Sequence, residues 1–299
     1  MMAKFEGVFP AIITPMAADG SLNEAAYRQV MEFNIQAGVQ GFWVAGGTGE
    51  SVLLDDAENR RIAEIVADQS QGRIANIMHV GAPTTTRSAR LAEHAAKAGV
   101  EAICCVPPFF YRQSDEAIVE HYRVVAGAAD LPLFVYNLPQ STGVEITPQL
   151  MAKIQAGVPQ LAGLKHSAPY LPFVRDFAKM GLACFVGNCR LMLPALTIGA
   201  VGCVDGPPNM APERWVALWK AYKSGNLAEA EAAQEHASQV ADLVQPFRFH
   251  AIAKAVIGAR LGINCGDPRP PGQALTGEER ADLLRNAAAI GLVEISADV

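Results

Sequence analysis

The chain has 299 residues, carries 24 Lys+Arg against 30 Asp+Glu for a formal net charge of −6, and is 51% hydrophobic and 18% charged. That balance supplies a large core and excludes a disordered polymer. The mild acidity offers nucleic acid no cationic footing, and no apolar run reaches the roughly 18–20 residues that cross a bilayer.

Eight β-rich apolar runs each precede a stretch with helical spacing. In chain order the pairs are 7–15 then 23–37, 41–46 then 55–68, 73–81 then 84–98, and 102–108 then 115–128. They continue with 131–139 then 148–156, 161–165 then 169–180, 183–188 then 190–198, and 200–206 then 212–223. Strands so uniformly apolar fit a parallel sheet buried on both faces. Ser21 or Asn23, Asp55 and the Thr147-Pro148 pair supply helix starts, and Gly38, Gly99, Gly157 and Gly181 read as left-handed helix ends. The expectation is an α/β fold, a (β/α)8 TIM barrel over 1–225, with a doubly wound sheet as the alternative. Residues 226–299 read as a three-helix C-terminal extension (226–244, 247–261, 276–290), punctuated by Pro246 and the GDPRPPG turn at 266–272.

The N-terminal MMAKFEGVFPAIITP has no cleavage-like region after a basic start, which points to a cytoplasmic protein. None of the six cysteines forms a CxxC pair, so they read as small buried hydrophobes.

In such a barrel the chemistry gathers where strands end. Lys165 closes the apolar run LAGLK, where a shielded mouth favours the uncharged amine that can condense with a ketone. A structural lysine that snorkels to the rim, or one paired with a carboxylate, is the competing reading. The other seven lysines read as solvated faces. Tyr136 ends the neighbouring strand and brings a phenol able to pass a proton. The run Gly46-Gly47-Thr48-Gly49-Glu50 matches neither a dinucleotide fingerprint nor a P-loop, but its backbone N–H groups can converge on a small carboxylate.

Alternation along the strand turns His166 outward and Ser167 back to the mouth. His79 reaches towards the rim, while His94, His121 and His236 read as surface helix positions, and no metal ligand set is expected. Glu50 and Asp205 read as capping or structural groups ahead of an acid–base pair. Ser167, Ser141 and Thr142 are candidate hydroxyl-binding positions. Arg190 reads either as an anion grip or as a solvent-facing arginine at a helix start.

GGTGE (46–50), PPFFY (107–111), YNLP (136–139) and GLK (163–165), in this order, resemble the dihydrodipicolinate synthase / N-acetylneuraminate lyase family of class I aldolases. The resemblance runs on into the C-terminal helices and the PRPP turn. It implies a Schiff base between Lys165 and pyruvate or another 2-oxo acid, with Tyr136 as proton relay and Thr48 hydrogen-bonded to it. Backbone N–H groups of Gly47 and Thr48 would hold the carboxylate. Ser167, Thr142, Gly187, Asn188, Arg190 and Gly206 would border the substrate. An aldehyde is the implied second partner, no cofactor is implied, and the implied assembly is a homotetramer or homodimer. Phe110 and Tyr111 would be the side chains lent to a neighbouring subunit.

Three departures bear on the substrate. No Arg follows YNLP in the segment 140–143, Asn188, Cys189 and Arg190 stand where neuraminate lyases carry acidic residues, and Phe110 lacks a hydroxyl. The expected activity is making or cleaving the C–C bond of a 4-hydroxy-2-oxo acid. A dehydratase of a 3-deoxy-2-oxo sugar acid, a non-catalytic 2-oxo acid binder and a metal-dependent aldolase are the rivals.

Overall fold

The computed structural model describes residues 4–244 and 248–294. β1 (Gly7–Pro10) leads to α1 (Glu24–Gln36), β2 (Gly41–Val44) to α2 (Asp56–Ser70), β3 (Ala75–His79) to α3 (Thr85–Ala98), and β4 (Ala102–Cys105) to α4 (Asp115–Ala129). β5 (Leu133–Asn137) is followed by the single turn α5 (Pro139–Thr142) and by α6 (Pro148–Gly157). β6 (Leu161–His166) leads to α7 (Phe173–Lys179), β7 (Ala183–Val186) to α8 (Met192–Thr197), and β8 (Gly202–Asp205) to α9 (Pro212–Lys223). The extension adds α10 (Leu227–Asp242), α11 (Phe249–Leu261) and α12 (Gly277–Ala289).

The strand order is β1-β8-β7-β6-β5-β4-β3-β2, and every pairing is parallel. β1 meets β2 through the Ile12 N–H to Trp43 carbonyl bond (3.0 Å) and the Gln40 N–H to Val8 carbonyl bond (3.1 Å). A strand bonded to its neighbours on both sides in this cyclic order makes a nearly closed TIM barrel and rules out the doubly wound alternative.

Local chemistry explains the phasing. Asn23, Asp55 and Thr147 each accept a hydrogen bond from the first turn of the following helix, and Asp55 with Glu58 completes a capping box. Gly38, Gly99 and Gly181 adopt positive φ after their helices, but Gly157 lies inside α6. The helix expected over 169–180 shortens to α7, because Pro172 disfavours helical backbone at the residue before it. The stretch 190–198 resolves into a 3-10 turn (Cys189–Leu191) ahead of α8. Pro246 and the start of the helix expected at 247 lie outside the described residues.

Aromatic rings fill the barrel: Phe9 packs on Phe185 (centroids 4.9 Å apart), Phe5 on Phe134 (5.2 Å), and Trp43 on Tyr136 (5.6 Å). A side chain at Gly163 would collide with the Phe134 ring and the Ala183 carbonyl, so the glycine makes room for this layer. The intervening strand residues, such as Val135 and Leu164, join the core between sheet and helices. α11 is buried from Ala251 to Gly258, as suits a helix so apolar around its circumference. No helix among the described residues is long and apolar enough to cross a membrane.

Candidate active site

Parallel pairing sets Tyr136 directly opposite Lys165, and alternation turns both inward at the C-terminal end of the barrel. Lys165 is only 4% exposed; its Nζ lies 4.5 Å from the centroid of the Tyr136 ring and 5.6 Å from that of Trp43. Among the described residues no carboxylate forms an ion pair with it, so the competing reading of a paired structural lysine fails. Its Nζ faces the Tyr136 and Trp43 rings and forms no hydrogen bond or ion pair among the described residues.

His79, beneath the same mouth, stands perpendicular to Tyr136 with ring centroids 6.2 Å apart. Burial pushes its pKa down to about 4, helped by the Lys165 charge and opposed by a hydrogen bond to the Ala45 carbonyl. The imidazole is therefore neutral, and its Nε2 has no partner.

The 46–50 loop is drawn tightly against the barrel end. A side chain at Gly46 would strike the Trp43 indole, and Thr14 Oγ1 donates to the Gly49 carbonyl at 2.8 Å. Gly47 borders the mouth: a Cβ there would stand 3.8 Å from the Tyr136 hydroxyl. The N–H groups of Gly47 and Thr48 find no acceptor among the described residues, whereas the Gly47 carbonyl accepts from Glu50 N–H (3.1 Å) and His250 Nε2 (2.9 Å). Two free donors near the Tyr136 hydroxyl suit an incoming carboxylate. The implied Thr48–Tyr136 hydrogen bond is not formed; Thr48 is half-exposed in the turn, and its hydroxyl pairs with no described residue.

Glu50, in left-handed backbone conformation, ends this loop as a structural anchor and takes no acid–base position. Its carboxylate pairs with Lys254 of α11 at 2.6 Å and accepts the Arg269 N–H at 2.7 Å. Lys254 also donates to the Asp267 carbonyl at 3.0 Å. With 2% exposure Lys254 departs from the expectation that every lysine but one is solvated. The available signal was a lone charge in the apolar run AIAKAVI (251–257). His250, one turn earlier on the same helix, was also missed. The C-terminal extension thus holds the loop that borders the mouth.

At the end of β8, Asp205 is likewise structural, accepting the N–H groups of Cys189 (2.8 Å) and Gly206 (2.7 Å). The Phe249 ring occupies the space a side chain on Gly206 would need. A side chain at Gly187 would strike Ser167, whose Oγ is buried with no hydrogen-bond partner. Asn188 is exposed and accepts the Arg190 N–H through its side chain. Asn188, Arg190, Asp205, Pro207 and Phe249 line a recess of about 240 Å³. The Arg190 guanidinium pairs with Asp242 of α10, so its charge is already matched.

Other expectations need correction. The Thr142 hydroxyl is engaged with the Leu138 carbonyl (3.0 Å) and with Val144, because it closes the turn after β5, and it is not free for substrate. Ser141 is exposed on that turn. His121 is buried rather than at the surface; its ring bridges Thr85 Oγ1 (2.9 Å) and Cys105 Sγ (3.4 Å), and burial pushes its pKa down to about 4. His166 faces outward as expected, bonded to Asn137 Nδ2 and the Tyr170 carbonyl. Asn137 also closes the 137–146 loop by exchanging both side-chain amide bonds with Ile146 (3.0 Å each). Phe110 and Tyr111 stand out from the surface, 87% and 72% exposed, with Phe110 at φ 77°.

Comparison with known proteins agrees with this geometry. Residues 4–290 match the dihydrodipicolinate synthetase family. The chain is 35% identical to an uncharacterised DapA-like lyase of Halobacterium salinarum, over 96% of this chain and 94% of that one. It is 33% identical to the 4-hydroxy-tetrahydrodipicolinate synthase of Methanothrix thermoacetophila, over 93% and 95%. A sialic acid aldolase of Ruminococcus gnavus, solved as a catalytic-lysine mutant, superposes with a TM-score of 0.92 at 25% identity, over 97% of each chain. The chain belongs to the dihydrodipicolinate synthetase family and is a lyase of the aldolase type.

Proposed function

We propose that this member of the dihydrodipicolinate synthetase family condenses Lys165 with pyruvate or a related 2-oxo acid and makes or cleaves the C–C bond of a 4-hydroxy-2-oxo acid. The observation that carries the reading is a buried lysine with no carboxylate partner, in register with an inward tyrosine at the barrel mouth.

The Nζ lone pair attacks C2 of the 2-oxo acid; after proton transfer from nitrogen, the carbinolamine hydroxyl takes a further proton delivered through Tyr136 and leaves as water, giving the protonated imine. That cation withdraws electrons from C3, which gives up a proton and becomes the nucleophilic carbon of an enamine. C3 then bonds to the aldehyde carbon while the aldehyde oxygen takes a proton, and water hydrolyses the imine to release product. Cleavage is the reverse. Tyr136 carries the protons, and water completes the path, since Thr48 does not bond Tyr136 and Phe110 has no hydroxyl. Gly47 and Thr48 N–H groups hold the carboxylate. Ser167, Gly187, Asn188 and Gly206 border the aldehyde portion, and Arg190 lies at its edge. The exposed Phe110–Tyr111 pair, with ring centroids 5.0 Å apart, supports assembly with further copies as a homodimer or homotetramer.

Exchange of the pyruvate C3 protons into D₂O, followed by NMR, tests enamine formation without knowledge of the aldehyde. Enzyme-dependent exchange is expected, and its absence at saturating pyruvate contradicts the reading. A panel of aldehydes and 2-oxo sugar acids then separates aldol chemistry from dehydration and from binding without turnover.

A further inference from the structure

We infer that His250 of α11 is a positioning residue for the 2-oxo acid carboxylate, acting through its hydrogen bond to the Gly47 carbonyl. The inference rests on the Schiff-base reading above and extends it to a side chain outside the barrel.

A carbonyl can only accept, so His250 Nε2 carries the hydrogen in the 2.9 Å contact with the Gly47 oxygen. That oxygen and the Thr48 N–H belong to one planar trans peptide and point in opposite directions. Fastening the oxygen towards α11 therefore turns the Thr48 N–H away from α11. The same peptide borders the mouth, since a Cβ on Gly47 would stand 3.8 Å from the Tyr136 hydroxyl. Neither the Gly47 nor the Thr48 N–H is spent on an acceptor among the described residues. Gly46 and Gly47 give this stretch more rotational freedom than any other residue pair would. The Gly47 carbonyl also accepts the Glu50 N–H at 3.1 Å within the turn, so His250 is the second restraint on this peptide and the one that ties it to α11. His250 is half-buried at the edge of α11, so it can be replaced without opening the core.

The experiment uses the full chain, pyruvate and borohydride, with the adduct on Lys165 measured by peptide mass spectrometry across pyruvate concentrations. His250→Leu removes the donor; His250→Gln keeps an amide N–H at about the reach of Nε2. His250→Leu should raise the half-saturating pyruvate concentration roughly three- to tenfold, the loss of one oriented hydrogen bond, with saturating adduct unchanged. His250→Gln should stay within about twofold of the parent. An unchanged half-saturation in His250→Leu, or an equal rise in both variants, overturns the inference while leaving the Schiff base intact. No adduct on the parent chain removes the Schiff-base reading and this inference together.

Discussion

Lys165 and Lys254 are 4% and 2% exposed, and the fold treats them in opposite ways. Lys254 is enclosed by a carboxylate and a carbonyl; burial pulls its pKa down and the Glu50 charge opposes that pull. Its ammonium ties α11 both to Glu50 of the 46–50 loop and to the Asp267 carbonyl. Lys165 faces the rings of Tyr136 and Trp43 and meets no carboxylate among the described residues. Lys254 is immobilised by its counter-charge, whereas no described carboxylate tethers Lys165. Burial alone therefore does not decide what a lysine does; the identity of the nearest groups separates a tethered nitrogen from an untethered one.

Substitutions should separate the two corners. Lys165→Ala should abolish C3 exchange and turnover while the chain keeps its melting temperature, because the side chain holds no structural partner; residual exchange at parental rate breaks the comparison. Tyr136→Phe should slow turnover by about 10²–10⁴-fold through the lost proton transfer, and steady-state kinetics at parental speed would remove the phenol from the mechanism.

Lys254→Met should instead act on stability, leaving Glu50 buried and uncompensated at a cost of about 3–5 kcal/mol in denaturant unfolding. The double variant Glu50→Gln, Lys254→Met should recover part of that loss. A lone Lys254→Met as stable as the parent would show that the pair anchors nothing.

Acid should produce a further, graded effect. His79 and His121 have pKa values pushed down to about 4, against about 6.5 for an unfolded histidine. Between those values the unfolded chain binds more protons, so the stability these sites contribute is present above about pH 6.5 and declines as pH falls towards 4. The decline approaches about 3 kcal/mol for each histidine. Denaturant midpoints that stay level from pH 6.5 to 4.5 would contradict neutral burial of the two rings.

The barrel was legible because eight apolar runs and their helix caps obey local rules. Lys165 and Tyr136 were legible because strand ends in this fold converge on one rim. What escaped were interactions between distant segments. Nothing local to Lys254 or His250 says that the 46–50 loop lies beside them, as pairing across some 200 residues depends on how the extension docks. Thr142 misled for a related reason: a hydroxyl after a strand can face a ligand or close its own turn, and backbone groups at Leu138 and Val144 decided it. His121 was misplaced because α4 turns that face towards α3, where Thr85 waits to bond it.

The most direct measurement is borohydride reduction in the presence of pyruvate, followed by peptide mapping of both buried lysines. The account predicts a reduced three-carbon adduct on Lys165 and none on Lys254. A chain that stays unlabelled, or carries the adduct on Lys254 instead, would contradict it.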